Sequence, residues 1–253
     1  MTQSTRFVGA LLLAVAAPVA LGAAPPAAIV AAVADPGRPA EDRARDADRR
    51  PAEMLAFAGV KPGMVVVDML PGGGYFTRLF SSVVGPAGKV MAYVPDEALA
   101  RNPKLLDKVT AIAAELGHGN IMAVHNPLMA AGPDNVADIA WTSQNYHDLH
   151  NMPGVDLVAF NTLVYRGLRP GGVYIVLDHS AVAGSGLAGT GELHRIDPAV
   201  VRKEVEAAGF VYAGESKVLA NPADPRTAKV FDPAIKGHTD RFVYKFRKPG
   251  GKT

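Results

Sequence analysis

The sequence predicts an α/β fold: a Rossmann-like, seven-stranded, mostly parallel sheet with helices on both faces and a C-terminal antiparallel strand pair. Three observations support this prediction. Apolar runs rich in β-branched residues alternate with amphipathic segments, which favours parallel strands joined by helices. The first such run leads into three consecutive glycines, the pattern of a strand, a tight turn and a helix start. The last two predicted strands have no helix between them, which indicates an antiparallel pair.

Each strand is predicted from a short apolar run that ends at a turn signal. The predicted strands lie at positions 64–68, 89–94, 121–124, within 134–142, and at 173–177, 210–218 and 241–247. In the last one, Phe242, Tyr244 and Phe246 alternate with Val243, Lys245 and Arg247. That alternation predicts a half-exposed strand.

Helices are predicted between the strands from amphipathic spacing and from the glycines and prolines that end each segment. The run Lys61-Pro62-Gly63 ends the first helix and Arg169-Pro170-Gly171-Gly172 ends the fourth. Asp197 followed by Pro198 is a helix N-cap with proline at the first helical position. The predicted helices lie at 51–60, 75–84, 96–116 with an interruption near 102–103, 155–168 and 198–208.

The first 24 residues have the pattern of a secretory signal peptide. Arg6 precedes an apolar stretch at 7–21, and small residues then allow cleavage after Gly22 or Ala24. An uncleaved anchor is the alternative, but the apolar stretch is short for a bilayer span. We therefore expect an exported, periplasmic protein that keeps no stable membrane anchor after cleavage.

The rest of the chain is predicted to be a linker or N-terminal segment at 25–48 and one α/β domain at 49–249. Positions 41–50 are dense in both charges, and we expect a solvated helix face there because charge runs are usually solvated. The alternative, which we favour less, is that Arg49 or Arg50 reaches over the crevice beside the first strand.

Composition excludes several kinds of protein. The net charge of +2 does not favour a nucleic-acid partner. The chain has no cysteine, so disulfides, thiolate nucleophiles and thiolate metal ligands are excluded. We expect a small-molecule ligand.

The glycine turn after the first strand predicts a nucleotide-type cofactor site. Gly72, Gly73 and Gly74 allow the backbone to approach a ligand closely, and Asp68 directs a carboxylate into the same crevice. A dinucleotide fingerprint would need a third glycine where Thr77 stands and an acid ending the second strand. A cationic amine and sulfonium suit Asp68 better, which favours S-adenosylmethionine over NAD.

The run Asp68-Met69-Leu70-Pro71-Gly72-Gly73-Gly74-Tyr75 resembles motif I of the class I S-adenosylmethionine-dependent methyltransferases. The chain also resembles a group of exported predicted methyltransferases, from about position 40 to 249. The resemblance rests on motif I and on these further runs: Asn145-Tyr146-His147-Asp148, Leu177-Asp178-His179, His194-Arg195-Ile196-Asp197, Lys229 to Pro233 and Gly237 to Asp240.

The resemblance implies S-adenosylmethionine-dependent methyl transfer to a small acceptor. The residues it implies for cofactor binding are Asp68, Pro71, Gly72, Gly73, Gly74, Tyr75, Asp96, Asn145 and Tyr146. In the family an acid ending the second strand holds the ribose. Tyr93-Val94-Pro95 offers none here, and Asp96 is the nearest substitute.

Candidate catalytic residues follow the fourth and fifth strands, where an acceptor approaches in this kind of fold. His147 is the best candidate for a general base, because imidazole titrates near neutrality. Asp148 could orient it, and His179 faces the same edge from the neighbouring strand. A Tyr-His-Asp run could instead only cap the next helix.

Two alternatives of other classes stay open. One is a catalytically degenerate methyltransferase fold that binds a small ligand in the periplasm, since fold does not fix function. The other is a metal-binding protein in which His147 and His150 converge with further histidines and aspartates: Asp148, Asp178, His179 and His194. No recognised metal-ligand spacing is present in the sequence.

Export predicts that chains recovered from the periplasm of a Gram-negative host begin at Ala23 or Pro25. The intact mass of the purified protein checks this. Leu12→Arg should block export by interrupting the apolar stretch, whereas Ser4→Arg, outside that stretch, should not. Full-length chain in the membrane fraction would indicate an uncleaved anchor, and full-length chain confined to the cytoplasm would contradict export.

Overall fold

A computed structural model describes residues 24–250, and the predicted signal segment at 1–24 lies almost wholly outside the described residues. The strands are β1 (Val65–Met69), β2 (Lys89–Pro95), β3 (Ile121–Asn126), β4 (Ala137–Ser143), β5 (Leu168–His179), β6 (Val211–Ser216) and β7 (Arg241–Arg247). The helices before β2 are α1 (Ala27–Ala34), α2 (Ala40–Arg43), α3 (Asp46–Arg49), α4 (Pro51–Ala58) and α5 (Tyr75–Val84). The later ones are α6 (Asp96–Arg101), α7 (Lys104–Ala113), α8 (Tyr146–Leu149), α9 (Leu157–Gly167) and α10 (Pro198–Ala207).

The strands form one seven-stranded sheet in the order β3-β2-β1-β4-β5-β7-β6. The first five strands pair in parallel, and β7 pairs antiparallel with both β5 and β6. The predicted fold class is therefore confirmed, including the antiparallel C-terminal pair. The parallel pairing brings the carboxyl ends of β1, β4 and β5 to one edge of the sheet.

Helices cover both faces of the sheet. Val66 and Ile139 point to one face, where they pack against Phe80 of α5. Tyr174 and Val176 point to the other, where they pack with Phe160 of α9 and with α10. The strands alternate faces with a period of two residues, so neighbouring residues of one strand enter different core layers.

Two sequence predictions about β5 and β7 are wrong. β7 is not half-exposed: Phe242, Val243 and Phe246 are buried, because β7 lies inside the sheet between β5 and β6. β5 begins at Leu168 rather than at Val173, since Leu168 pairs with Ala137 of β4 and the residues expected to form a turn, 169–172, lie in the register shift before Val173 pairs with Ile139.

Positions 25–48 form helices that pack against the sheet domain. Ile29 of α1 has no exposed surface and lies in the first core layer, where α1 contacts α4 and α5. Among residues 24–250, no helix is both long enough and apolar enough to span a bilayer.

The interior position of β7 predicts that Phe246→Ala lowers the free energy of unfolding by about 3–5 kcal/mol, the usual cost of truncating a buried phenylalanine. Phe231→Ala is the matched control, because Phe231 is 61% exposed and its loss should cost about 0.5 kcal/mol or less. Urea unfolding of both variants measures the difference. Equal costs would contradict the placement of β7.

Candidate functional site

The turn after β1 has a backbone that only certain residues adopt readily. Gly72 and Gly74 have positive φ values of 59° and 78°, and Leu70 has a φ of 55° although it is not glycine. A Cβ on Gly74 would lie 2.1 Å from the Ile112 side chain, so Gly74 also allows α5 and α7 to pack. Strained backbone of this kind is typical of ligand sites.

A cavity of about 290 Å³, partly open to solvent, lies over this turn. Its volume is close to the lower end of the range for small-molecule sites. Six predicted cofactor residues line it: Asp68, Pro71, Gly72, Gly73, Tyr75 and Asn145. Apart from its two chain neighbours, no part of residues 24–250 lies within 4 Å of the position that a Cβ on Gly73 would take, so a side chain there would occupy the cavity.

A second, smaller cavity of about 80 Å³ adjoins the first and shares Leu70, Pro71 and Gly72 with it. Val94 at the end of β2 and Leu105 of α7 complete its lining. The two cavities together extend from the end of β4 to the end of β2.

Asp68 is the buried carboxylate of the first cavity. Its side chain is 3% exposed and accepts a hydrogen bond of 2.6 Å from the Thr77 hydroxyl. Burial raises the pKa of Asp68 to about 7, against the opposing effects of Thr77 and of the Arg49 charge. A cation bound beside Asp68 would favour its ionised form.

Arg49 corrects a sequence expectation. It does not lie on a solvated face but lines the cavity, 3.4 Å from the Gln144 side chain. Its guanidinium stands 4.7 Å from the centre of the Tyr75 ring, and burial lowers the pKa of Arg49 to about 10, so it stays charged at neutral pH. Arg50 points away and pairs with Glu53.

The segment before α4 is fixed to the glycine turn. Arg38 makes two hydrogen bonds to the carboxylate of Asp46, and the Tyr75 hydroxyl donates a third to it at 2.5 Å. Arg45 lines the same cavity. The N-terminal helices therefore form one wall of the site.

The end of β4 forms the opposite wall. The Asn145 amide donates hydrogen bonds to the carbonyls of Met69 and Leu70, at 3.3 and 3.1 Å. Gln144 has a positive φ of 61°. Ser143 also lines the cavity, and among residues 24–250 its buried hydroxyl has no hydrogen-bond partner. An orphaned buried hydroxyl in a cavity is free to bond a ligand.

Three predicted cofactor residues line neither cavity. Gly74 lies at the start of α5, behind the turn. Asp96 is exposed and bonds His125 at 2.9 Å. Tyr146 is fully buried in the second core layer, where its hydroxyl donates to Glu204 at 2.9 Å.

A second group of polar residues lies beyond the ends of β4 and β5. The buried carboxylate of Asp178 accepts hydrogen bonds of 2.8 Å from both the backbone N–H and Nδ1 of His147. Burial alone would raise the pKa of Asp178 and lower that of His147, but their mutual attraction reverses both shifts. Asp178 is therefore ionised, and Nδ1 of His147 carries the hydrogen that it donates.

The other ring nitrogen of His147 meets two further side chains. Its Nε2 lies 3.2 Å from Nδ1 of His194 and 3.4 Å from Oδ1 of Asp148. The last two atoms are 3.5 Å apart. We call His147, Asp148 and His194 the histidine cluster.

The other two histidines considered for this edge do not join the cluster. The Nδ1 of His179 lies 2.7 Å from the Thr239 hydroxyl, and burial lowers the pKa of His179 to about 4, so its ring is neutral. His150 turns toward Glu204, at 3.2 Å. The proposed convergence of His147 with His150 is therefore wrong, since His194 takes that place.

Sequence reasoning missed several residues of the site, namely Arg45, Leu70, Phe76, Ser143 and Gln144. The charge pattern at 41–50 favoured a solvated position for Arg49. Proximity in the sequence to the ends of β1 and β4 could have identified all of the missed residues except Arg45.

The chain has the fold of the class I S-adenosylmethionine-dependent methyltransferases, and comparison with known proteins agrees with it at the level of fold. No protein-family model matches the chain. Curated relatives do match it. The ubiquinone/menaquinone biosynthesis C-methyltransferase UbiE of Hydrogenovibrio crunogenus is 31% identical over 129 residues, which is 51% of this chain and 47% of that protein. The chain thus spans about half the length of the curated relatives it matches.

Solved structures match over more of the chain. A SAM-dependent methyltransferase from Aquifex aeolicus has a TM-score of 0.59 at 18% identity, covering 83% of this chain and 98% of that one. A putative sarcosine dimethylglycine methyltransferase from Galdieria sulphuraria has a TM-score of 0.58 at 15% identity, covering 80% of this chain and 85% of that one. These likenesses confirm the resemblance to the methyltransferase superfamily at the level of fold.

The raised pKa of Asp68 predicts a pH effect on stability. Its unfolded pKa is about 3.9, so the folded protein holds this proton more tightly and loses stability as pH rises from about 4 to about 7. Relative to wild type, Asp68→Asn should therefore become progressively more stable across that window. Urea unfolding at several pH values measures it.

Asp107→Asn, at an exposed position, is the control and should show a nearly constant difference from wild type. Parallel stability curves for wild type and Asp68→Asn would contradict the pKa shift.

Proposed function

We propose that the chain is a S-adenosylmethionine-dependent methyltransferase that acts on a small-molecule acceptor. The observation that carries the proposal is the cavity over the glycine turn, where the buried carboxylate of Asp68 and the half-buried guanidinium of Arg49 line one space. The amino-acid end of S-adenosylmethionine has one ammonium and one carboxylate, and this pair of side chains complements both charges.

The remaining lining fits the same ligand. Gly73 leaves room against the backbone, and the orphaned Ser143 hydroxyl is available for a polar group. The smaller cavity, with Leu70, Val94 and Leu105, offers an apolar surface next to the turn. A diphosphate would fit less well, because Asp68 would repel it.

S-adenosylmethionine, when bound, supplies an electrophilic methyl group on a sulfonium. The protein's own part is to hold the acceptor in line with that group and to receive the acceptor's proton as the new bond forms and the carbon–sulfur bond breaks. His147 and Asp148 lie in α8 after β4, and His179 is the last residue of β5, on the side where we place the acceptor. We propose that they act on the acceptor and not on the cofactor.

A catalytically degenerate binding protein is the second candidate. It is favoured by Asp96, which lies outside both cavities, so that no acid at the end of β2 is in place for a ribose. Binding of the cofactor without transfer of its methyl group would support this candidate.

We also propose that the protein works in the periplasm. The support is the signal-peptide pattern of the first 24 residues: Arg6, the apolar stretch at 7–21 and the small residues after it.

The proposed function predicts that the wild-type chain binds S-adenosylmethionine and S-adenosylhomocysteine in calorimetric titrations. Arg49→Met should weaken binding by about tenfold or more, since it removes a charge-assisted hydrogen bond. Arg50→Met is the matched control: it removes the neighbouring arginine, which points away from the cavity, and affinity should not change. Failure of the wild type to bind either ligand would overturn the proposal.

His147→Asn completes the same experiment. It should bind S-adenosylmethionine as the wild type does, because His147 does not line either cavity. The variant should no longer transfer a labelled methyl group from S-adenosylmethionine to the small molecules extracted from the cells that produce the protein. A loss of cofactor affinity would instead place His147 at the cofactor.

A further inference from the structure

We propose that the histidine cluster binds a divalent transition metal of the Zn²⁺ class through Nε2 of His147, Nδ1 of His194 and Oδ1 of Asp148. Binding of the metal goes beyond the proposed function and depends only on these side chains. Within residues 24–250, no other set of three histidine or carboxylate side chains brings its ligand atoms within 4.8 Å of one another.

The spacing of the three atoms is that of metal ligands. Their separations are 3.2, 3.4 and 3.5 Å. Ligands of a tetrahedral zinc ion, at 2.0–2.1 Å from the metal, lie about 3.3 Å from one another. The triangle can therefore close on such an ion with small movements. Two imidazole nitrogens and one carboxylate oxygen are also the donors that Zn²⁺ or Fe²⁺ prefers, whereas Mg²⁺ and Ca²⁺ favour oxygen alone.

The hydrogen bond between His147 and Asp178 uses Nδ1 and leaves the other ring nitrogen, Nε2, available to a metal. The fully buried carboxylate of Asp178 accepts a hydrogen bond from Nδ1, which places the hydrogen on Nδ1 and directs Nε2 toward the other two ligands. A histidine that binds a metal through one ring nitrogen usually donates a hydrogen bond from the other, often to a carboxylate. The second bond of Asp178, to the backbone N–H of His147, fixes the start of α8 as well.

Residues that are distant in the sequence hold His194 in place. It has a positive φ of 55°, and the next residue, Arg195, is fully buried in an ion pair with Asp224. The His194 ring also packs edge-on against Phe231, with centroids 4.9 Å apart. Its ring is therefore positioned before any ligand arrives, which lowers the cost of assembling a metal site.

The cluster is accessible to a metal and leaves a coordination position open. The side chains of Asp148 and His194 are 42% and 31% exposed, so an ion can enter from solvent. Three protein ligands around a tetrahedral ion leave the fourth position for water or another ligand. An oxygen or sulfur of the methyl acceptor could take that position, an extension that rests on the proposed function. With the metal bound, neither ring nitrogen of His147 is free, so His147 would then act on the acceptor through the metal and not as a general base.

The test uses the full chain without a polyhistidine tag, treated with a chelator and titrated with zinc chloride in a calorimeter. We expect one Zn²⁺ per chain. His194→Asn and Asp148→Asn should each lower the affinity by about tenfold or more. Both positions are partly exposed, so the variants should fold, and metal-free thermal melting checks this.

His238→Asn is the matched control, because His238 is an exposed histidine with a single carboxylate nearby, Asp48 at 3.6 Å. Its zinc affinity should equal that of the wild type. Co²⁺ in place of Zn²⁺ should give the intense visible absorption of a tetrahedral site, which His194→Asn should abolish.

Lack of stoichiometric binding, or binding that neither His194→Asn nor Asp148→Asn weakens, would show that the three side chains only bond one another, and would overturn the metal site. Titration of the metal-free chain with S-adenosylmethionine separates this result from failure of the proposed function. Cofactor binding without zinc binding overturns only the metal site. Zinc binding without cofactor binding overturns only the methyltransferase.

Discussion

The hydrogen bonds to the carboxylate of Asp178 are the interactions on which the histidine cluster depends. This carboxylate is fully buried at the end of β5, and a buried charge is stable only if polar groups surround it. Three donors do so: the backbone N–H and Nδ1 of His147, and the backbone N–H of His179. Because these bonds join the ends of β4 and β5, they set both the start of α8 and the orientation of the His147 ring.

Asp68 at the end of β1 is equally buried but has a different environment. One hydroxyl, that of Thr77, donates to it, and Arg49 acts only from a distance. The pKa of Asp68 is therefore raised, while that of Asp178 is lowered. The same residue type thus has two uses. Three hydrogen-bond donors stabilise the charge of Asp178, which in turn positions its neighbours. Asp68 has a single such donor, so its carboxylate suits a cationic ligand.

Local sequence patterns predicted most of the sheet and the glycine turn. Helix α5 has the predicted bounds, because glycines precede and follow an amphipathic run. The patterns did not predict Arg49 in the cavity, since its partner Gln144 is 95 positions away. Spacing along the chain suggested His150 as the partner of His147. Helix α8 is only four residues long, and His194 arrives from beyond β5 instead.

The N-terminal wall of the cavity has a consequence for how the protein folds. Arg241, at the start of β7, donates a hydrogen bond of 2.9 Å to the carbonyl of Asp48, across 193 positions. This contact closes a very long loop. Because closing a long loop costs conformational entropy, we expect the contact to form late in folding. The segment that carries Arg45 and Arg49 therefore cannot be fully secured until the last strand has entered the sheet. The cavity over the glycine turn is therefore complete only when the C-terminal strand is in place.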